Sequence, residues 1–348
     1  MRKVLFTLFA VLLVVALLLP ACAPSAAPGK TYSFKIQCAW PRGDLSMETL
    51  KVFADSAAKR SGGKMKVEVF AAPELVGMFD VPEAVKAGTL DMAMGSGGLW
   101  SGVLPVGDIE FGLPYGYRIP EKKGFKDTAN VVRDFFFKGG FLDILRPEYA
   151  KQGVYYLDIH SYGPVPFIVA RKPIKTMSDI KGLKMRTDSL WMVWQNAIGM
   201  TGVDIPGDEA YTALKMGTVD AHTWDVSAYT GMNMHEVAPY WIRGMEGDHA
   251  IGHILVNMKV WNSLPDDMKK ALAGAAEDYW NAMVDNYGRD LQVVQDMVKA
   301  GKIKEVQLDA DVIKLCEQEA YKIWDDMAKK DAASAKAVAL IKKWRGVK

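Results

Sequence analysis

K-G-L-K-M-R (Lys181–Arg186), G-M-T-G-V (Gly199–Val203) and D-E-A-Y-T-A-L-K-M-G-T-V-D-A-H-T-W (Asp208–Trp224) follow one another closely and read as a strand–helix–strand unit. A tight turn at Gly182 leads into a short strand that ends on Arg186. A helix over Glu209–Met216 stops at Gly217, a residue that tolerates the left-handed cap. A second strand then closes on Trp224. One guanidinium beside a tryptophan suits recognition of a carboxylate carried on an apolar body, because paired donors match the carboxylate plane. It offers no obvious covalent chemistry.

The pattern is echoed upstream. Gly63-Lys64-Met65-Lys66-Val67 resembles Gly182-Leu183-Lys184-Met185-Arg186, and Glu83–Met92 resembles Glu209–Ala221, each with a helix that runs into a glycine and then a strand. Two such units imply two α/β lobes with a crevice between them. Around them, alternation predicts strands at Tyr32–Cys38, Met65–Phe70, Met92–Met94, Tyr155–Ser161, Phe167–Ala170 and Gly252–Val256. Helices are expected over Ser46–Lys59, with Leu50, Phe53 and Ala57 on one face, over Val81–Ala87 and over Val193–Ile198. Asp266–Ala300 reads as one long helix, with apolar residues at steps of three or four from Met268 to Val298. It would reach ~50 Å, enough to brace both lobes.

The first residues place the protein outside the cytoplasmic membrane. Arg2 and Lys3 precede an unbroken apolar run from Val4 to Leu19, closed by Leu19-Pro20-Ala21-Cys22. That layout is a secretory signal peptide whose ending resembles a bacterial lipobox, making Cys22 the lipidated first residue of the mature chain. An uncleaved anchor is the alternative, and the remainder is extracytoplasmic either way. Residues 22–30, rich in Ala, Pro and Ser, read as a tether. The sequence has 43 basic and 41 acidic residues. Loss of Arg2 and Lys3 leaves 41 against 41, which excludes a nucleic-acid partner recognised by bulk charge. Cys38 and Cys316 are better read as buried thiols than as a disulfide.

Familiar catalytic patterns are absent. Met94 stands where the nucleophile elbow around Gly95-Ser96-Gly97 needs glycine, and His249 and His253 lack the glutamate of a zinc-protease helix. No P-loop or dinucleotide fingerprint appears. Arg186 is the positive signal, at a strand end where open α/β sheets bind ligands. The plainer reading is a surface arginine or an Arg186–Asp188 pair. Trp224, Trp100, Trp40, Trp191 and Trp194 fall at strand ends or loops and could line a pocket or a core. His160 and His222 are placed to touch an anion, although each reads more readily as a hydrogen-bonded bystander.

Lys181–Trp224, the Gly-Thr-Val-Asp signature, Asn257, Trp261-Asn262-Ser263-Leu264-Pro265 and the long helix together resemble the DctP-type solute-binding subunits of tripartite ATP-independent periplasmic (TRAP) transporters. The nearest branch is the one binding 2-oxo acids and similar monocarboxylates. The resemblance implies a two-lobed Venus-flytrap fold with hinge-crossing strands, which closes on an organic anion and delivers it to an ion-gradient-driven permease. It implies no enzyme activity. It matches Arg186 to the family's carboxylate-binding arginine, Trp224 to a pocket tryptophan, and Trp100 to a loop of the first lobe. Lobe I is expected over 31–157 with a return strand near 250–264, lobe II over 158–243, the long helix over 265–301 and C-terminal helices over 302–348.

The departures bear on metal. Where the 2-oxo-acid branch coordinates a cation, this chain has Thr223, Val165 and about Gly247, so no cofactor is expected. Asp225, Glu246 and Asp248 are the weak substitutes. The ligand-binding set is therefore Arg186, Trp224, Trp100, Trp40, His160, Trp191 and Thr223. A monomer is expected, because the chain stops near Trp344 without the further helix of dimeric relatives. A periplasmic enzyme using His160 or His222 as base, or the sensing subunit of a signalling system, are the rival readings.

Overall fold

Y-S-F-K-I-Q-C forms β1 (Tyr32–Cys38) as its alternation predicts. In this computed structural model, which describes residues 30–119, 124–247 and 249–347, the chain divides into Met1–Tyr32 and Ser33–Lys348. The fold below is that of the second unit. The signal-peptide and Cys22 readings, Asp248 and nearly all of the tether lie outside the described residues.

From β1 the chain builds α1 (Leu45–Arg60), β2 (Met65–Ala71), α2 (Val81–Ala87) and β3 (Met92–Ser96). Leu50, Phe53 and Ala57 are fully buried on one face of α1, as their helical spacing requires. Helices α3 (Pro105–Gly112), α4 (Phe125–Lys138) and α5 (Phe141–Lys151) lead to β4 (Val154–Gly163). The next elements are β5 (Phe167–Ala170), α6 (Met177–Ile180), β6 (Lys184–Arg186), α7 (Ser189–Ala197), β7 (Thr201–Val203), α8 (Ala210–Met216), β8 (Ala221–Trp224), α9 (Ser227–Thr230) and β9 (Tyr240–Arg243). Last come β10 (Ala250–Asn257), α10 (Met258–Ser263), α11 (Asp266–Lys299), β11 (Lys304–Gln307), α12 (Ala310–Met327) and α13 (Ala332–Arg345).

The strands form two sheets, ordered β2-β1-β3-β10-β4 and β11-β9-β5-β8-β6-β7. Their plans match. β1 lies parallel to β3, and β6 lies parallel to both β7 and β8. An antiparallel strand follows in each sheet, β10 on β3 and β5 on β8. A further antiparallel strand comes next, β4 on β10 and β9 on β5. These antiparallel strands are exchanged: the chain passes from β4 of the first sheet into β5 of the second, and from β9 of the second into β10 of the first. The fold is thus two-lobed, with crossings that follow β4 and β9.

The crossings are tied together, since the Gly247 amide donates to the Val165 carbonyl at 3.1 Å. Gly163, at φ 75°, ends β4 where a Cβ would meet the Tyr287 ring at 2.1 Å. No other residue fits there without displacing the Tyr287 ring.

The expected sequence echo holds in its second part only. α2 and α8 both end on left-handed glycines, Gly88 and Gly217, and both lead into a sheet's third strand, β3 or β8. The first part is shifted by one strand. Topology makes β6 the counterpart of β1 rather than of β2, and β7 the counterpart of β2. Strand ends of similar composition misled the pairing.

α11 links the two sides. Asp278 receives two hydrogen bonds from Arg60 of α1, both 2.8 Å. Gly274 leaves the space that this guanidinium fills, because a Cβ there would lie 2.5 Å from it. Farther along, Tyr287 stacks on Phe125 at 4.4 Å and Asp290 accepts from Thr230 of α9 at 2.5 Å. Cys38 and Cys316 are both free and buried. Among the described residues no helix is long and apolar enough to cross a membrane.

Candidate functional site

β6 and β8 are adjacent and parallel, so their C-terminal ends deliver Arg186 and Trp224 to the same rim. Facing them is the loop after β1, which carries Trp40 and Asp44 from the other sheet. Between the two rims lies a cavity lined by Trp40, Asp44, Phe111, Tyr162, Val165, Arg186, Thr187, Asp188, Trp191, Thr223, Trp224 and Asp225. It leaves about 50 Å³ for the centres of water-sized molecules. That is room for roughly four such groups, the scale of a two- to four-carbon acid.

Arg186 is only 1% exposed. Its Nε donates to the Ile205 carbonyl at 2.8 Å, and Nη1 lies 3.4 Å from Asp188 Oδ2. Nη2 has no partner. The guanidinium carbon sits 5.1 Å from the Trp224 ring centroid, within cation–π range. Burial pulls the arginine pKa down, and Asp188, Asp204 and Asp208 push it back up. The Arg186–Asp188 pair read from sequence therefore exists, yet it occupies only part of the guanidinium.

Trp224 is fixed by contacts that cross between the sheets. Its Nε1 donates to Asp44 Oδ2 at 3.1 Å, and its ring meets Trp40 edge-on at 5.5 Å. Trp40 Nε1 in turn donates to Tyr162 Oη at 2.8 Å. Phe111 of α3 meets Trp191 of α7 edge-on at 6.1 Å, and Ser189 Oγ donates to the Gly98 carbonyl at 2.9 Å. The two halves are closed on each other around the cavity. Ser189 holds its contact at φ 49°, an uncommon conformation for a serine.

Two further carboxylates border the space. Asp44 caps α1: its Oδ1 accepts from Ser46 N at 2.9 Å and Met47 N at 3.1 Å, as well as from Ser46 Oγ. Asp225 Oδ1 accepts from Ser227 N at 2.8 Å and Ser227 Oγ at 2.5 Å, while Oδ2 has no partner. Burial pushes both acids up, and Asp225, which also feels Asp44, goes well above the usual carboxylate range. The rise at Asp44 is restrained by its capping donors and by Trp224.

Of the residues predicted from sequence, Arg186, Trp224, Trp40, Trp191 and Thr223 line the cavity; Trp100 and His160 do not. Trp100 packs edge-on against Tyr149 at 5.6 Å, inside the first half. His160 stands one layer behind Tyr162, its ring 4.2 Å away on the same face of β4. Burial holds the His160 pKa down to about 3. His222 stacks behind Trp224 at 5.2 Å, and burial, then Arg186, keeps it well below its ordinary value. Both imidazoles stand outside the cavity lining. Sequence reading missed Asp44, Phe111, Tyr162 and Thr187. Asp44 had a signal, as an acid before an amphipathic helix, but that signal reads as a cap.

Comparison with known proteins follows the same lines. Residues 37–331 match the model of DctP, bacterial extracellular solute-binding protein, family 7. The chain belongs to this family. It is accordingly an extracytoplasmic solute receptor and no enzyme. A monocarboxylate 2-oxoacid-binding periplasmic protein of Nostoc is 26% identical over 86% of this chain and 80% of that protein. Among solved structures, a TRAP periplasmic solute-binding protein of Chromohalobacter salexigens with bound (S)-(+)-2-amino-1-propanol superposes with a TM-score of 0.82 at 22% identity, covering 91% of this chain and 96% of that one. A Pseudoalteromonas atlantica member with bound sodium and pyruvate also gives 0.82, at 23% identity over 91% and 94%.

This chain's own residues do not fit a resident cation of the kind that last structure holds. Val165 offers no side-chain oxygen, and Thr223 Oγ1 is bonded to Gln195 Nε2 at 2.9 Å. Glu246 lies outside the cavity, its carboxylate taken by Arg243 and the Gly244 amide. That leaves Asp225 with one open oxygen. Among the described residues no group of three His, Cys, Asp or Glu side chains is gathered for a metal, and hard cations need several oxygen ligands.

Proposed function

We propose that this receptor captures a small carboxylate by closure of its two halves and hands it to a TRAP-type permease driven by an ion gradient. The observation that carries the reading is the unpartnered Arg186 Nη2, buried in the wall of the cavity between the two halves. A buried donor without an acceptor costs free energy, and a ligand carboxylate would supply the acceptor. Trp191 Nε1 and Thr187 Oγ1, in the same wall, are also unpartnered. They give the anion further donors. Trp40, Trp224 and Phe111 would cover its apolar part and exclude water, which strengthens the ion pair.

The site set proposed is thus Arg186, Trp224, Trp40, Trp191, Thr223 and Thr187. In this reading lobe I spans about 31–157 with the return strand near 250–264, lobe II spans 158–243, and α11 braces both during closure. Residues 1–21 act as the signal peptide, Cys22 carries the lipid that holds the receptor in the periplasm at a membrane, and the working form is a monomer. The test is titration calorimetry with acids chosen by a thermal-shift screen. The wild type should bind at least one small carboxylate, and Arg186→Ala should show no detectable binding while its circular dichroism spectrum is unchanged. Equal affinity in the variant would refute the assignment.

A further inference from the structure

The polar atoms in the cavity wall fall into two groups. Most are already engaged. The Trp40 and Trp224 indole N–H groups bond Tyr162 and Asp44, Asp44 uses both oxygens, and Thr223 Oγ1 accepts from Gln195. Four lining residues keep a buried atom without a partner: Arg186 Nη2, Thr187 Oγ1, Trp191 Nε1 and Asp225 Oδ2. The first three can donate. Asp225 Oδ2 stands opposite in character: it belongs to a carboxylate 3% exposed, whose other oxygen is fixed by two bonds from Ser227. A ligand that met only the donors would leave this acceptor orphaned. Buried orphan carboxylate oxygens are expensive, more so than neutral ones.

We propose that Asp225 is the second pole of the binding site and that the ligand is a small amino acid, its carboxylate on Arg186 and its ammonium on Asp225. This rests on the carboxylate-receptor reading above and narrows its ligand class. An ammonium donates to Oδ2 and supplies the positive charge that would hold Asp225 ionised against the burial that raises its pKa. A 2-hydroxy acid donates without the charge. A 2-oxo acid brings only another acceptor and no charge, which Asp225 could meet only as the neutral acid. Cavity size sets the scale at a few carbons.

The test uses three matched three-carbon acids, alanine, lactate and pyruvate, titrated into the full receptor at neutral pH by calorimetry. Alanine should bind at least tenfold more tightly than pyruvate, with lactate between them. Asp225→Asn keeps the shape but can turn an amide donor into the cavity, so the alanine preference should collapse or invert toward pyruvate. Either of two results overturns the inference: pyruvate binding more tightly than alanine in the wild type, or a preference unchanged in Asp225→Asn. If pyruvate binds best and Arg186→Ala abolishes that binding, only the amino-acid inference fails. If none of these acids and none in the thermal-shift screen binds, the carboxylate reading falls with it.

Discussion

Asp44 follows β1 and opens α1, while Asp188 follows β6 and opens α7, the matching step in the second sheet. Both border the cavity. Asp44 turns back to its helix and to Trp224, and both of its oxygens accept hydrogen bonds. Asp188 makes no cap bond and leans on Arg186 instead. The same place in the same plan thus holds a structural acid in one half and an electrostatic partner in the other. A nearly symmetric frame carries an asymmetric site. The first half supplies rings and a saturated acid; the second supplies the cation and the unpartnered atoms.

The largest effect should separate two guanidinium groups, buried Arg186 and part-buried Arg133. Arg133 in the first half is bound two-pronged to Asp158 at 2.8 and 2.9 Å, whereas Arg186 keeps one nitrogen open. Arg186→Lys should cost ~2–5 kcal/mol of binding, about thirtyfold to several thousandfold, since one point charge cannot hold the carboxylate plane. Arg133→Lys should instead lower the thermal midpoint and leave affinity within about threefold. Calorimetry and a melt on both variants check this.

Asp108 tests the first half's acids. Burial, opposed by its Ser101 bond, raises its pKa to about 7, with Asp188 across the gap adding to the rise. The folded state therefore holds this proton where the unfolded chain has released it. Stability falls as pH rises from the ordinary carboxylate range toward 7, and the effect levels off above that. Asp108→Asn should remove this slope. It should stabilise the protein by about 2–3 kcal/mol more at pH 8 than at pH 5, measured by urea unfolding at both values.

Two smaller effects sharpen the contrast directly. Asp44→Ala should cost ~1–2 kcal/mol of unfolding free energy through the lost α1 cap. Asp188→Asn should be read in affinity: removing the competitor for Arg186 should tighten carboxylate binding about threefold. Weaker binding in Asp188→Asn would break the proposed division of roles. Ser189→Ala deletes the hydrogen bond to Gly98 that spans the halves, and should weaken binding by ~0.5–1.5 kcal/mol without altering ligand preference.

Elements with a clear period were readable from sequence. β1, β5, α2 and the start of α11 fall where alternation or helical spacing puts them, and β10 returns to the first sheet as expected. α3 was not readable, because Gly107 and Gly112 interrupt its eight residues, and Pro147 hides α5. β9 and β11 are four residues each and earn their place only by pairing with each other and with β5. In the site, Arg186 and Trp224 were legible because a strand end and a glycine cap frame them. Trp100 and His160 were misplaced for a common reason: a strand-end or loop position fixes proximity to the rim, not the direction of the side chain. Asp44, Phe111 and Tyr162 come from the opposite half, on a loop, a helix and a strand far from Arg186 in sequence.

The most direct measurement is a crystal structure with the tightest-binding acid from the thermal-shift screen. A carboxylate oxygen should lie within ~3 Å of Arg186 Nη2, between Trp191 and Trp224. A ligand seated elsewhere, with Nη2 turned to a protein acceptor, would contradict the account.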